Sequence, residues 1–408
     1  MGEPADRKRP GGAAGGIVRR LEGRRVLLWG HGLEGKATEA FIRHHCAVRS
    51  LEVYEGGQEG IDDGAHDVVV KSPGIREDRW NEKYTSATEL FLDAFAPQTI
   101  GITGTKGKST TASMLHHVLK TCLPRPVVLV GNIGIPCLGA VDGIGPETIV
   151  VFELSCHQLD HLRVSPHVAV FLNFHEEHLD RYGTPERYFE AKAQIARHQK
   201  PGDFFFAGEN VPPVETAAAA ERLPFAPRKA FAMRLAGAHN QYNAAVVERI
   251  AVQLCGCPEE AVAKAIADFR GLPHRMEYLG RKNGVDFYDD SCSTIPEATM
   301  AALGGIANAK TVLIGGMDRG IGYGKLERFM REHPEYQYIC MYDSGKRVYD
   351  EVAPLPSCHY RGDLAAAVAL AKELTPPGGA CVLSPAAASY GHFRNFEERG
   401  NVFRSLVS

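Results

Sequence analysis

The sequence predicts an α/β protein built from three domains, and three observations predict it. Strand-like runs alternate with helix-like runs along most of the 408 residues, the pattern of parallel sheets covered by helices. At about 150 residues per domain, a chain of this length holds two or three. Loops rich in glycine or polar residues stand at strand ends near residues 30, 105 and 290. Ligands of open α/β sheets bind outside the carboxyl ends of strands, so three such loops imply three domains around one cleft.

Taken in order, residues 1–20 read as a leader. They are rich in Gly and Ala, carry Arg7-Lys8-Arg9, and lack the apolar stretch of a signal peptide. Arg25–Trp29 is a buried strand; Gly30-His31-Gly32-Leu33-Glu34-Gly35 follows, and a helical pattern runs to His44. Asp67–Val70 is a strand closed by the turn Ser72-Pro73-Gly74. A first domain, 21–96, ends where Pro and Gly interrupt the helical pattern at Phe95-Ala96-Pro97. In the second, 97–270, Gln98–Ile100 leads into a glycine-rich loop, and a helix covers Ala112–Lys120. Strands follow at Val127–Val130, Thr148–Glu153 and Val168–Leu172, with a helix over Tyr188–Arg197. Residues 209–230, with four prolines and an alanine run, read as irregular surface structure. The third domain, 271–408, opens at Gly271-Leu272-Pro273. Its strands fall at Phe287–Asp289, Thr311–Ile314, Tyr338–Met341 and Cys381–Ser384.

Composition excludes several classes of function. A formal net charge of -3 leaves no basic footprint for nucleic acid. No apolar run approaches the roughly 20 residues that cross a bilayer. The ten cysteines are scattered, and Cys255 and Cys257 lack a second ligand pair at zinc spacing. They read as reduced thiols of a cytoplasmic protein.

The chemistry concentrates in Gly101-Ile102-Thr103-Gly104-Thr105-Lys106-Gly107-Lys108-Ser109-Thr110. Strand, glycine-rich turn and a helix opening on Lys-Ser make a phosphate cradle. Backbone N–H groups close on the phosphates, Lys108 neutralises the outer ones, and the Ser109 hydroxyl suits Mg²⁺. The glycines fall at 101, 104 and 107, and Ile102 stands where the usual first glycine would be. Gly30-x-Gly32-x-x-Gly35, with Glu55 at the next strand end, matches a dinucleotide fingerprint. A hydride-transfer enzyme would leave the phosphate cradle unexplained, so this loop reads as gripping a diphosphate that belongs to a substrate. Glu153 at a strand end suits a metal ligand. His175-Glu176-Glu177-His178 is one residue short of a zinc-protease motif and reads as hard-metal or phosphate chemistry. Lys192 by itself reads as a solvated lysine. Asn240 and Asn243, at a helix start, read as caps or as amides that contact a base or ribose.

With these motifs in place the chain resembles the Mur ligase family, ATP-dependent enzymes that form amide bonds in peptidoglycan synthesis. Further carriers are Lys71-Ser72-Pro73-Gly74-Ile75, Gly131-Asn132-Ile133-Gly134, Glu153-Leu154-Ser155-x-x-Gln158 and Glu177-His178-x-Asp180-Arg181-Tyr182. Others are His239-Asn240-x-x-Asn243, Pro273-His274-Arg275, Gly315-Gly316-x-Asp318-Arg319-Gly320 and Asn395-Phe396-Glu397-x-Arg399-Gly400. The resemblance covers Arg25 to Leu406 and is strongest to members that add glutamate to UDP-N-acetylmuramoyl-L-alanine. It implies Rossmann-like first and third domains around a central ATPase domain. Gly32, Leu33, Glu34, Ser72, Pro73, Gly74, Asn132 and Ser155 would then hold the UDP substrate. Gly104, Thr105, Lys106, Gly107, Lys108, Ser109 and Thr110 would bind ATP, with Asn240 and Asn243 at the adenine and Arg275 and Asp290 completing that site. Ser109, Glu153, His178 and a carbamylated Lys192 would hold Mg²⁺. Thr294, Arg319, Ser389 and Phe396 would meet the amino acid. The implied protein is a cytoplasmic monomer using ATP and Mg²⁺, with no nucleic acid or membrane partner.

Two departures bear on the amino acid. The glutamate-adding members usually read Asp-Ser-Lys-Ala-Thr-Asn where this chain has Asp290-Ser291-Cys292-Ser293-Thr294-Ile295, and Tyr390-Gly391-His392 replaces a more polar stretch. D-glutamate is the expected substrate. L-glutamate, the substrate of a variant branch, is the alternative, and a ligase-like protein that binds without catalysis is the reading from another class.

Overall fold

The structure, a computed structural model, describes residues 14–62, 64–235 and 237–408. It contains three sheets. The first holds β1 (Arg25–Trp29), β2 (Ser50–Tyr54), β3 (Val68–Lys71) and β4 (Tyr84–Thr85), all parallel, in the order β2-β1-β3-β4. Val26, Leu27, Leu28 and Trp29 are all buried, because helices cover both faces of such a sheet and its central strand has no wet side.

The second sheet is also all parallel. It holds β5 (Thr99–Thr103), β6 (Val127–Gly131), β7 (Ile149–Glu153), β8 (Val168–Phe171), β9 (Phe204–Gly208) and β10 (Ala219–Leu223), ordered β10-β9-β8-β5-β7-β6. Ile102 and Gly131 pair with Glu153 from either side, so that carboxylate leaves the sheet between β5 and the edge strand β6. The third sheet holds β11 (Glu277–Lys282), β12 (Val285–Asp289), β13 (Ala309–Ile314), β14 (Gln337–Met341), β15 (Cys358–Arg361) and β16 (Ala380–Leu383). Its order is β11-β12-β16-β13-β14-β15, and only β11 runs antiparallel.

By contact density the chain forms two compact units. One holds the first two sheets, through Met233, with Ala238–Phe269; the other holds Arg234–Gly237 and Arg270–Ser408. The first two sheets share a unit because one apolar cluster runs through both, from Ile17 and Phe41 to Phe152 and Phe171. Phe91 meets Phe152 edge-on at 5.5 Å within it. Two clusters line the opposite faces of the third sheet.

Three expectations change. Residues 1–13 of the expected leader lie outside the described residues, but Gly15–Leu21 is a helix with Ile17, Val18 and Leu21 buried. Its Arg20 pairs with Glu89 and Asp93 of the helix Ala87–Phe95. Within 209–230, expected to be irregular, β10 pairs with β9; most of its residues are exposed, so no apolar pattern marked it. β11 lies where no strand is expected, although Asn283 (φ 50°) and Gly284 (φ 83°) form the turn that joins it to β12. That dipeptide is a strong hairpin signal because both residues tolerate positive φ.

No helix among the described residues is long and apolar enough to cross a membrane. All ten cysteines are free thiols, seven of them buried.

Candidate functional site

Strand β5 delivers the chain to Gly104, and the loop ends at Gly107, the left-handed residue (φ 82°) before the helix Lys108–Cys122. A Cβ on Gly107 would stand 2.9 Å from Asn243 Oδ1, so both backbone angle and space demand glycine. Asn173 threads the loop: its Oδ1 accepts from Lys106 N (2.9 Å), and its Nδ2 donates to Lys106 O (3.0 Å). Thr105 exchanges hydrogen bonds with the His175 backbone at 3.0 and 3.1 Å, and Lys106 pairs with Glu177. Thr110 lies half-buried in the first helical turn.

Four charged or polar side chains converge under this loop. Lys108 Nζ donates to Gly104 O (2.9 Å) and Thr105 O (3.0 Å). Lys192 Nζ donates to the same Gly104 O at 2.8 Å and sits 4.9 Å from the Tyr188 ring centre. Glu153 Oε1 accepts from Ser109 Oγ and Asn132 Nδ2, each at 3.2 Å. Glu153 Oε2 is buried without a hydrogen-bond partner. Such an orphaned oxygen costs free energy unless a cation or donor meets it, so Glu153 and Ser109 fit a Mg²⁺ site.

Lys192 is 1% exposed, which overturns its reading as a solvated lysine. Tyr188, Ala191, Lys192 and Ile195 share one face of the helix Pro185–Arg197, and that face is the buried one. Burial, and then the charge of Lys108, push the Lys192 pKa down to about 7. Burial also lowers Lys108, opposed by the charge of Glu153. His178 is exposed, in the left-handed conformation (φ 55°), with its ring 5.1 Å from that of His157. Among the described residues, three groups of His, Asp or Glu bring ligand atoms within 4.8 Å of one another, and none includes Glu153 or His178. Asn240 and Asn243 are buried in the first turns of the helix Ala238–Gln253, with the Asn243 amide beneath Gly107. Asn243 Nδ2 donates to Asn240 Oδ1 at 3.4 Å.

A cleft of about 620 Å³ opens between the carboxyl ends of β1 and β3 and the loops after β6 and β7. Its lining includes Gly32, Leu33, Glu34, Ser72, Pro73, Gly74, Asn132 and Ser155, so the structure brings together every residue expected at the UDP substrate. Gly30 is forced here: a Cβ would stand 2.5 Å from Ile75 and 2.8 Å from Ser72, whose hydroxyl donates to Gly30 O. Leu33 projects into solvent, 84% exposed. Burial pushes the Glu34 carboxyl up to about 7, against the pull of Gln158, Lys71 and Thr88. His157 also lines the cleft, a residue the motifs did not single out; burial, then Arg181 and His178, hold its pKa down at about 4.

In the second unit, Asp290 is 3% exposed and fully partnered. It accepts from Ser293 Oγ (2.5 Å), Ser384 Oγ (2.8 Å) and Met276 N (3.1 Å). The Cys292 thiol lies 3.9 Å from Asp290 Oδ1; burial, and then that carboxylate, push its pKa up to about 12, so it is neutral. Arg275 is exposed, as is Arg319, whose Nη2 donates to Thr294 O at 3.3 Å. Ser389 is buried at the end of the β16 loop, and Phe396 is 38% exposed. Arg399, unassigned by the sequence, is wholly buried and clamps Ser291 through Nε (3.0 Å) and Nη2 (2.7 Å).

A glycine-rich loop of the phosphate-binding kind thus stands beside a carboxylate with one partnerless oxygen, next to a cleft at the ends of β1 and β3. Residues 102–222 match the family description Mur ligase middle domain. Two relatives match nearly end to end. A UDP-N-acetylmuramoyl-L-alanine–L-glutamate ligase of Salinispora tropica is 34% identical over 95% of this chain and 98% of its own. A UDP-N-acetylmuramoylalanine–D-glutamate ligase of Aquifex aeolicus is 32% identical over 94% and 98%. The fold is shared with MurF from Acinetobacter baumannii (TM-score 0.59, 17% identity, 84% of this chain and 85% of that one). It is shared too with Mycobacterium tuberculosis folylpolyglutamate synthase complexed with ADP (TM-score 0.58, 14% identity, 79% and 94%). The chain belongs to the Mur ligase family.

Proposed function

We propose that this protein joins glutamate to UDP-N-acetylmuramoyl-L-alanine with hydrolysis of ATP to ADP and phosphate, as a cytoplasmic monomer. One observation carries the reading. Ser109 of the phosphate loop and Asn132 of the substrate cleft hydrogen-bond the same oxygen of Glu153, so phosphate donor and acceptor sites meet at one carboxylate. The alanyl carboxylate attacks the γ-phosphorus and ADP leaves; the glutamate amine then attacks the acyl carbon and phosphate leaves. Lys108 stabilises charge on the migrating phosphoryl group by turning from the loop carbonyls to the phosphate. Ser109, Glu153, His178 and Lys192 would hold Mg²⁺, which would supply positive charge to offset the negative charge developing on the phosphates.

Carbamylation would make Lys192 such a ligand. It is supported by burial and by a pKa of about 7, since only a neutral amine adds to carbon dioxide. Gly104 to Thr110 would bind the ATP phosphates, with Asn240 and Asn243 near the adenine, and Arg275 and Asp290 would complete that site. Thr294, Arg319, Ser389 and Phe396 would contact the amino acid. D-glutamate is the first reading. L-glutamate is favoured by the neutral Cys292 where D-glutamate-adding members carry lysine, and by the Salinispora relative. The test is phosphate release from ATP and UDP-N-acetylmuramoyl-L-alanine with each glutamate isomer separately. Release that requires both the UDP substrate and one isomer is expected; release indifferent to glutamate sinks the reading.

A further inference from the structure

Two motif residues have no part in the reaction so far, Lys71 before Ser72-Pro73-Gly74 and Arg181 in the segment that follows His178. They meet in the structure. Lys71 ends β3, and the turn after it walls the substrate cleft. Lys71 Nζ donates to the carbonyls of Ile75 (2.8 Å) and Ser72 (3.3 Å). Arg181 reaches the same turn from the second sheet, donating through Nη2 to Ile75 O (2.9 Å) and through Nη1 to Gly74 O (3.3 Å). Glu77 lies between the two cations, 2.9 Å from Lys71 Nζ and 3.6 Å from Arg181 Nη2, and meets His161 Nε2 at 2.9 Å. Lys71, Glu77 and Arg181 are only 4%, 7% and 13% exposed, so these contacts are little screened by solvent.

The other end of Arg181's segment holds the phosphate loop. Its helix, Leu179–Tyr182, follows directly on His178 and on Glu177, the partner of Lys106. Two residues earlier, His175 exchanges hydrogen bonds with Thr105. One stretch of chain thus grips the ATP loop with its first half and the cleft wall with its second. The geometry points to Arg181 as a positioning residue that sets the turn Ser72–Ile75 in register with the phosphate loop. The UDP substrate then arrives with its carboxylate at the phosphoryl group. Arginine suits the task because its planar fork reaches Gly74 O and Ile75 O through two separate nitrogens held in fixed geometry. Lys71 and His161 keep Glu77 paired when Arg181 is removed, so the turn itself stays folded.

The inference rests on the proposed reading of that cleft. Its test is steady-state kinetics, with calorimetric binding of UDP-N-acetylmuramoyl-L-alanine, for wild type, Arg181→Ala and Arg181→Lys. In Arg181→Ala the KM for the UDP substrate rises about tenfold, the size of one charge-assisted hydrogen bond, while that for ATP stays within about twofold. Arg181→Lys keeps charge and bulk, so it decides the matter if the alanine variant does not fold. An intermediate rise supports the role, and a wild-type KM overturns it. Equal rises for both substrates overturn it as well. Wild-type protein that fails to bind the UDP substrate sinks both readings, whereas equal binding by wild type and Arg181→Ala sinks this one alone.

Discussion

The phosphate-loop region and the Asp290 region both bury carboxylates but treat them in opposite ways. Around Gly104, Lys108 and Lys192 share one carbonyl, and both are held below the ordinary lysine range by burial. Glu153 keeps an oxygen with no partner. Around Asp290, the carboxylate has three short hydrogen bonds, and neighbouring Asp289 takes His274 Nδ1 (2.7 Å) and Ser291 N (2.9 Å). Buried charge left incompletely paired costs stability and is kept where a ligand's charge completes it. Buried carboxylates that are fully paired, as Asp289 and Asp290 are, build a frame. The first region is thus poised for ligand, whereas in the second Arg319 is exposed and donates to Thr294 O.

The largest effect expected from this contrast is at Lys108. Lys108→Ala lowers the rate of phosphate release at least about a hundredfold, as loss of a charge-stabilising group does, with little loss of folding stability. Retention of a tenth of wild-type turnover erases the contrast from its first side. Next is Asp290→Ala, which strands two hydroxyls and a backbone N–H. A loss of about 3 kcal/mol in urea unfolding is expected, and an unchanged midpoint would show that the frame is not structural.

Lys192→Ala sharpens the first side. It is inactive, and short-chain carboxylic acids restore part of the rate by supplying the missing oxygens; full activity without additives removes the carbamate. Arg319→Ala probes the second side. The KM for glutamate rises about tenfold, the size of one charged hydrogen bond, and that for ATP is unchanged. Equal glutamate dependence places the carboxylate elsewhere.

The smallest effect is a pH slope. Glu77 stands at about 2 through its contacts with His161 and Lys71, which outweigh the opposing effect of burial, the largest single influence on it. A carboxyl depressed from its usual value of about 4.3 contributes stability that is fully present above that pH. That contribution is lost as pH falls from there toward 2. Glu77→Gln therefore flattens the acid limb of the unfolding profile, and parallel limbs in the two proteins would show Glu77 to be unpaired in solution.

How legible a residue was depended on whether its role is local. Gly104 to Ser109 were readable because strand, turn and helix are contiguous and the glycines answer to backbone angles. The same holds for Gly30 and Ser72, each marked by its own motif. Lys192 was not readable from its own residues, because its burial depends on which helix face the sheet covers. β10 escaped notice because an exposed edge strand carries no apolar alternation. Arg399 escaped because its partner Ser291 lies more than a hundred residues away in the chain.

The sequence by itself determined the α/β class, the phosphate loop and eight of the residues that line the cleft at the ends of β1 and β3. These follow from hydrophobic runs, glycine geometry and short motifs, which act over a few residues of chain. Only the tertiary structure decided that Glu153 joins Ser109 to Asn132, that Lys192 lies under Gly104, and that Arg181 ties the cleft wall to the phosphate loop. Those contacts join distant segments, and what fixes them is the order of strands in the sheet. In the second sheet that order places the ends of β8, β5 and β7 side by side, and the apolar core shared with the first sheet brings the end of β3 to the cleft beside them, where burial sets the charge each group can carry.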